Sequence, residues 1–244
     1  MMDPVAFRVG EVAIYWYGIL LACGLLGGFA LALRNSKQLG LDTDTVESIL
    51  FKLAVSLLIG ARLGAIAADI DHYLANPSHV FLRSGLASHG GIIAVMLVGV
   101  YLTRRQRTHY WLIADAISPG IPLGHIFIRL GNYINGELYG LPTSLPWGVS
   151  VPGIPEAVHP LQLYEAAISV PLLLISLRWV RTNSFPGSTF ARVMIAHSIV
   201  RFFLDFLRPQ DTRVLYLSLG QWTALLFIVG LSAFYYKRRA TAMA

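Results

Sequence analysis

VAIYWYGILLACGLLGGFALAL, residues Val12 to Leu33, contains no charged side chain. A helix needs roughly 20 apolar residues to cross a hydrocarbon layer of about 30 Å, and this run is long enough. Comparable runs recur along the chain, so helices are expected at about Val12 to Leu33, Glu47 to Ala68, His89 to Thr103, Trp111 to Ile134, Leu161 to Val180, Thr189 to Leu207 and Val214 to Tyr236. The composition agrees: 55% of the 244 residues are hydrophobic, 13% are charged and the mean hydropathy is +0.60. Soluble domains carry roughly 25% charge. The expected fold is all-α: a polytopic membrane protein of about seven transmembrane helices, forming one domain over residues 1–244.

The segment before the first run holds Asp3 and Glu11 and offers no basic stretch or small-residue cleavage site, so that run is read as a retained helix. The single cysteine, Cys23, excludes an intrachain disulfide and a multi-cysteine metal cluster, and its place in a small-residue helix suggests packing. A net charge of +6 would suit nucleic acid only if the basic residues shared a soluble face. They lie between hydrophobic spans instead, and the run Thr103 to Arg107 reads as a juxtamembrane anchor.

Positive charge collects in every second connection. Arg34, Lys37, Arg104, Arg105, Arg107, Arg178, Arg181, Lys237, Arg238 and Arg239 form the richer group, against Arg8, Arg83, Arg208 and Arg213. The positive-inside rule makes the richer side cytoplasmic, with the N-terminus outside, the C-terminus inside and an odd number of crossings. Pro119, Gly120, Pro122, Gly124 and Gly131 predict broken or re-entrant backbone in the fourth span, tolerable only where protein or a polar cavity surrounds it. The five prolines between Gly140 and Pro160, with no Lys or Arg, predict an irregular external loop that either caps an outward-facing site or merely connects.

Lys52, Arg62, Arg129, Arg192, Arg201, Glu165 and Asp205 fall inside the expected spans, where a central charge costs at least roughly 2.5 kcal/mol unless it pairs, lines a cavity or snorkels. Lys52 and Arg192 sit near span ends and suit snorkelling. Arg201 and Asp205 share a helical face with His197 and Arg208, either as a structural ion pair or as part of a site. The densest polar cluster is GHIFIRLGNYINGELYG, Gly124 to Gly140, with Arg129 and Asn132 on one face and Asn135 and Glu137 following. An arginine there suits a lipid phosphate, because its planar fork makes two charge-assisted bonds. His89 opens Ser88-His89-Gly90-Gly91, where backbone amides at a helix start favour an anion and the imidazole suits proton transfer; the alternative is a simple cap. Tyr17 is an interfacial aromatic or a site residue.

Together these residues resemble the bacterial prolipoprotein diacylglyceryl transferases over nearly the whole chain. The resemblance rests on Trp16-Tyr17-Gly18, Gly60-Ala61-Arg62, His89-Gly90-Gly91, the run from Arg129 to Gly140, His159 to Glu165, the arginine-acid helix from Arg201 to Arg208, and Leu219-Gly220-Gln221. Asp205 stands where the family pattern has glutamate, Arg208-Pro209-Gln210-Asp211 reorders the usual Arg-Gln-Pro-Asp, Leu86-Ala87-Ser88 replaces glycine-methionine-serine, and the loop after Gly140 is short. Those departures leave room for a divergent paralogue.

The resemblance implies a multi-pass protein of the bacterial cytoplasmic membrane, acting as a monomer without metal or organic cofactor. Its partners would be phosphatidylglycerol and the signal peptide of a prolipoprotein, whose lipobox cysteine receives an sn-1,2-diacylglyceryl group as a thioether while glycerol 1-phosphate leaves. Arg129 and Arg201 would meet the phosphate, and His89 would take the thiol proton, with Glu137 or Asp205 as other candidate bases. Tyr17, Arg62, Gly90, Gly91, Asn132, Asn135 and Gly140 would line the substrate. A transporter or channel, and a non-catalytic phospholipid-binding relative, remain the competing functions.

Overall fold

The computed structural model describes residues 3–79, 87–209 and 213–243. Arg83, Leu86, Gln210 and Asp211, used above for orientation and family pattern, lie outside the described residues. The chain is a membrane protein built mainly of helices, with two small hairpins that correct the purely α expectation. Strands β1 (Val5–Val9) and β2 (Val12–Tyr15) pair antiparallel, and α1 then runs Trp16–Gln38. The expected start at Val12 is therefore too early: β-branched Val12 and Ile14 satisfy their backbone against β1 before the helix begins. The last helix likewise starts later than Val214, because β3 (Arg213–Val214) and β4 (Leu217–Ser218) pair around Leu215 and Tyr216 at φ 49° and 67°.

The remaining helices are α2 (Thr43–Ala68), α3 (Ile70–Ala75), α4 (Ser88–Arg105), α5 (Tyr110–Ile117), α6 (Gly120–Asn135), α7 (Leu161–Arg181), α8 (Ser188–Leu204) and α9 (Leu219–Met243). Five stretches are long and apolar enough to cross a membrane: Trp16–Gln38, Thr43–Ala68, Tyr110–Asn135, Leu161–Arg181 and Leu219–Met243. The break between α5 and α6 falls at Ser118 and Pro119, where the imino acid lacks the N–H that would continue the ladder. At the other end of α6, Gly136 adopts φ 70° and closes the helix, a left-handed cap that a side chain would strain.

Burial along α7 runs opposite to that of a helix on a soluble protein. Gln162, Glu165, Ser169 and Ser176 are buried along one face, while Val170, Leu174 and Ile175 are exposed. Lipid suits the apolar face and the interior holds the polar one. Cys23, expected to be a packing residue, is exposed on α1 beside exposed Leu25 and Leu26, on a surface that suits apolar lipid. Lys52, in the third turn of α2, donates to Ser48 Oγ at 2.8 Å, and Arg192, near the start of α8, donates to Ser188 O at 3.0 Å and lies over the Trp179 ring.

Contacts divide the chain into two units: residues up to Leu39 together with those from Ala114 onward, and Gly40–Ile113. Each is held by glycines spaced four apart, which let helix backbones touch. In the first unit a Cβ on Gly24 would stand 3.4 Å from Gly124 Cα, and one on Gly120 3.4 Å from Gly28 Cα, joining α1 to α6. In the second, Gly60 and Gly64 of α2 meet Gly90 of α4, and a Cβ on Gly64 would come within 2.9 Å of Gly90 Cα. Neither backbone can yield cheaply. Gly64→Val should therefore lower the stability of the purified protein by about 1–3 kcal/mol, read as an earlier thermal unfolding midpoint in detergent; an unchanged midpoint would show that this contact opens at no cost. The second unit begins with Asp42 capping α2, its carboxylate accepting from Thr45 N at 2.8 Å. The Thr45 side chain and backbone hold that carboxyl below its ordinary range, so the cap persists at neutral pH and is lost only as pH falls through the lowered value.

Candidate active site

In the first unit α6 and α7 are adjacent and present matching polar positions one turn apart. On α6 these are His125, Arg129 and Asn132; on α7, Ser169, Glu165 and Gln162. His125 Nδ1 lies 3.0 Å from Ser169 Oγ, and Arg129 pairs with Glu165. Arg129 Nε also donates to His125 Nε2 at 3.0 Å, which makes that nitrogen an acceptor and leaves the ring proton on Nδ1 for Ser169. Ser169 Oγ in turn donates to Glu165 O at 2.7 Å, so the chain of donors is consistent. Beyond Gly136, Gln162 Nε2 donates to the Glu137 carbonyl, tying the end of α6 to the start of α7.

Glu165 is the hub. Its second oxygen accepts Arg208 Nη2 at 2.9 Å, while Arg208 Nε stands 3.5 Å from Asp205 Oδ1 and Arg201 Nη2 3.9 Å from the same oxygen. Asp205 also accepts Ser218 Oγ, and Gly220 leaves room for the pair, since a Cβ there would lie 3.0 Å from Asp205 Oδ2 and 3.2 Å from Arg201 Nη2. Arg129 and Arg201 are thus linked through Glu165, Arg208 and Asp205 into one network. Three guanidiniums face two carboxylates in it, which leaves one positive charge uncancelled among the described residues when both acids are ionised. A buried surplus of that sign suits an anion. Arg201, with 36% of its side chain exposed against 8% for Arg129, is the more accessible guanidinium.

Helix α8, which carries Arg201, is anchored at its opposite end. Asp115 of α5 is fully buried and accepts from Gly187 N at 2.7 Å, Phe190 N at 2.8 Å and Asn183 Nδ2 at 2.9 Å, capping the orphan amides of α8 from another helix. On the same unit Tyr17 packs against Gly131, whose missing side chain makes room for the ring: a Cβ there would stand 2.8 Å from Tyr17 Cδ2. Asn132 is buried, Asn135 Nδ2 donates to Glu137 Oε1 at 3.0 Å, and Glu137 itself is exposed. Gly140 N donates to His159 O at 2.9 Å, with Leu207 O close by, so this glycine fits the loop after α6 against the end of the α8 segment.

His89, Arg62, Gly90 and Gly91 belong to the second unit. His89 is exposed in the first turn of α4, and Arg62 donates to His79 O and lies 5.3 Å from the Tyr73 ring centre. Gly90 and Gly91 serve the α2–α4 contact, and Gly91 N is engaged by Ala87 O at 3.3 Å. Glu165, His125 and Gln162 are site residues that the sequence does not single out as such. The i, i+3 and i+7 spacing of Gln162, Glu165 and Ser169 was the available signal, since three polar residues on one face of an apolar helix need an interior partner.

The model of the family described as prolipoprotein diacylglyceryl transferase matches residues 4–236. The chain is similar to proteins named phosphatidylglycerol–prolipoprotein diacylglyceryl transferase from several bacteria. It is 35% identical to that of Geobacter sulfurreducens, covering 95% of this chain and 94% of the relative. For the Clostridioides difficile protein the identity is 34%, over 94% of this chain and 92% of the relative. The Bordetella bronchiseptica protein is 33% identical, over 96% and 94%. Apolar helices of spanning length, a buried arginine–carboxylate network and this likeness along almost the entire chain agree: the chain belongs to the prolipoprotein diacylglyceryl transferase family.

Proposed function

We propose that this chain transfers the sn-1,2-diacylglyceryl group of phosphatidylglycerol to the cysteine thiol of a prolipoprotein, releasing glycerol 1-phosphate. The observation that carries the reading is the uncancelled guanidinium charge in the network around Glu165, in a chain of this family. The thiolate sulfur attacks the glyceryl carbon, a carbon–sulfur bond forms, and the carbon–oxygen bond breaks with its electrons moving onto the phosphate. Charge grows on the departing phosphate, so a cation that strengthens its contact there speeds the step. Arg201 meets the phosphate through its exposed side chain, and Arg129, aligned by Glu165 and His125, donates to it as the charge grows. Asn132 and Tyr17 orient the headgroup.

The thiol has an ordinary pKa of about 8.5 and must lose its proton to react. His89 takes that proton; Glu137 and Asp205 are the other candidate bases, and Asp205 is committed to Ser218 and Arg208. His89→Asn should keep phospholipid retention and slow transfer at least about 10-fold at neutral pH, with the loss shrinking as pH rises and the thiol ionises unaided. A rate equal to wild type across that range would return His89 to a structural role. Asn135 and Gly140 are the further substrate contacts of the first unit, and Arg62, Gly90 and Gly91 those of the second.

The topology that goes with this reading has seven spans, the five apolar stretches plus Ser88–Arg105 and Ser188–Leu204, in one membrane domain. The N-terminus lies outside and the C-terminus in the cytoplasm, and the protein works as a monomer in the cytoplasmic membrane. Purified protein given labelled phosphatidylglycerol and a lipobox peptide tests the function. Diacylglyceryl peptide is the expected product; lipid retention without product would identify a binder, and solute flux in liposomes a transporter.

A further inference from the structure

Between the end of α6 and the loop before α7 lies a cavity of about 240 Å³. Tyr133, Tyr139, Val149 and Val151 wall it, Gln162 lies on its inner side and exposed Ser150 lines it as well. None of the lining side chains is charged, so the cavity does not suit an ion. It does suit a neutral hydrogen-bond donor. Gln162 is 2% exposed, and its Nε2 is committed to the Glu137 carbonyl, which can only accept; the amide orientation is therefore set, and Oε1 is left over. Among the described residues nothing donates to Gln162 Oε1. The side-chain oxygens of Asn132 and Asn135, in the last turn of α6, also lack a donor, and the Asn135 amide is oriented in the same way by Glu137 Oε1. Acceptors left unsatisfied in a buried place call for a ligand or water that donates.

We infer that this cavity receives the glycerol alcohol of the phospholipid headgroup, with Gln162 Oε1 accepting from one of its hydroxyls. The inference rests on the transfer reading above and adds a specificity element to it. Gln162 stands one turn from Glu165 on α7, and Tyr133 one turn from Arg129 on α6, so the cavity lies about 5.4 Å along both helices from the Arg129–Glu165 pair. A phosphate held by the arginine network would then place a three-carbon alcohol, carrying two free hydroxyls, at the cavity. A headgroup with no free hydroxyl would leave Gln162 unsatisfied, and sites built to bond a hydroxyl discriminate strongly against analogues that lack it.

The test compares phosphatidylglycerol with phosphatidylmethanol of the same acyl chains, whose one-carbon headgroup neither reaches the cavity nor donates. Wild-type protein should favour phosphatidylglycerol by at least about 10-fold in kcat/KM. Gln162→Met, similar in size but without the acceptor, should erase most of that preference. Ser150→Phe, which fills the cavity from an exposed position, should do the same even if the first variant folds poorly. Equal losses on both lipids, or a wild type that does not distinguish them, would overturn the inference and leave water as the occupant. If no lipid is transferred at all, lipid retention in detergent separates the two readings. A Gln162-dependent preference for phosphatidylglycerol would then uphold the cavity and sink the transfer reading, whereas no preference would sink the cavity.

Discussion

Arg129→Lys is expected to cut diacylglyceryl transfer about 100-fold while the protein stays folded, because removing one preorganised donor from a developing oxyanion costs on that order. Lysine keeps the charge, so net electrostatics barely change. It loses the planar guanidinium, whose Nε alone stands against both Glu165 and His125 and whose plane those contacts align, and an ammonium on a flexible stem does not keep that alignment. The loss should appear in kcat more than in phospholipid retention, because the accessible Arg201 still meets the ground-state phosphate. Single-turnover transfer with labelled phosphatidylglycerol, beside a thermal melt in detergent, reads both quantities. Turnover near that of wild type would remove Arg129 from the reaction.

The second large effect concerns Glu165. Glu165→Gln removes the counter-charge that Arg129 and Arg208 share at a buried position, and breaking one side of such a pair costs about 3–5 kcal/mol. Transfer should fall with it, and the melting point should drop. Replacing both partners separates charge balance from catalysis. Arg129→Met combined with Glu165→Leu leaves no unpaired charge between those two positions, and exchanging a buried ion pair for apolar residues is often neutral or stabilising. The double variant should therefore melt close to wild type and still lack activity. A double variant as unstable as Glu165→Gln would mean that Arg208, left with Asp205 alone, needs Glu165 as much as Arg129 does.

Both predictions turn on Glu165. The sequence shows it as an acid inside a span and shows the polar periodicity of α7, yet periodicity identifies a face and not the neighbour opposite it. His125 lies within the polar cluster Gly124 to Gly140, but spacing alone does not show that Arg129 Nε donates to it. The helix ends illustrate a different limit. Val12 to Tyr15 and Val214 to Leu217 are as apolar as the helices they precede, so hydrophobicity could not separate a hairpin from the first turns of a span. The break at Pro119 was legible because it follows from a missing N–H, a property of one residue.

The amino-acid sequence by itself determined that the chain lives in a membrane, roughly where its apolar helices run, which helix breaks, and which family its motifs resemble. Each of these depends on local composition or spacing along one strand of chain. Tertiary structure alone decided that Arg129, Arg208, Arg201, Glu165 and Asp205 form one network, that Gly64 and Gly90 bring two backbones together, and that Gln162 Oε1, beside a cavity, has no donor among the described residues. Residues 36 positions apart, such as Arg129 and Glu165, meet only because two packed helices set their register, and in a low-dielectric interior the partner across that contact decides whether a charge is tolerated and what it can do.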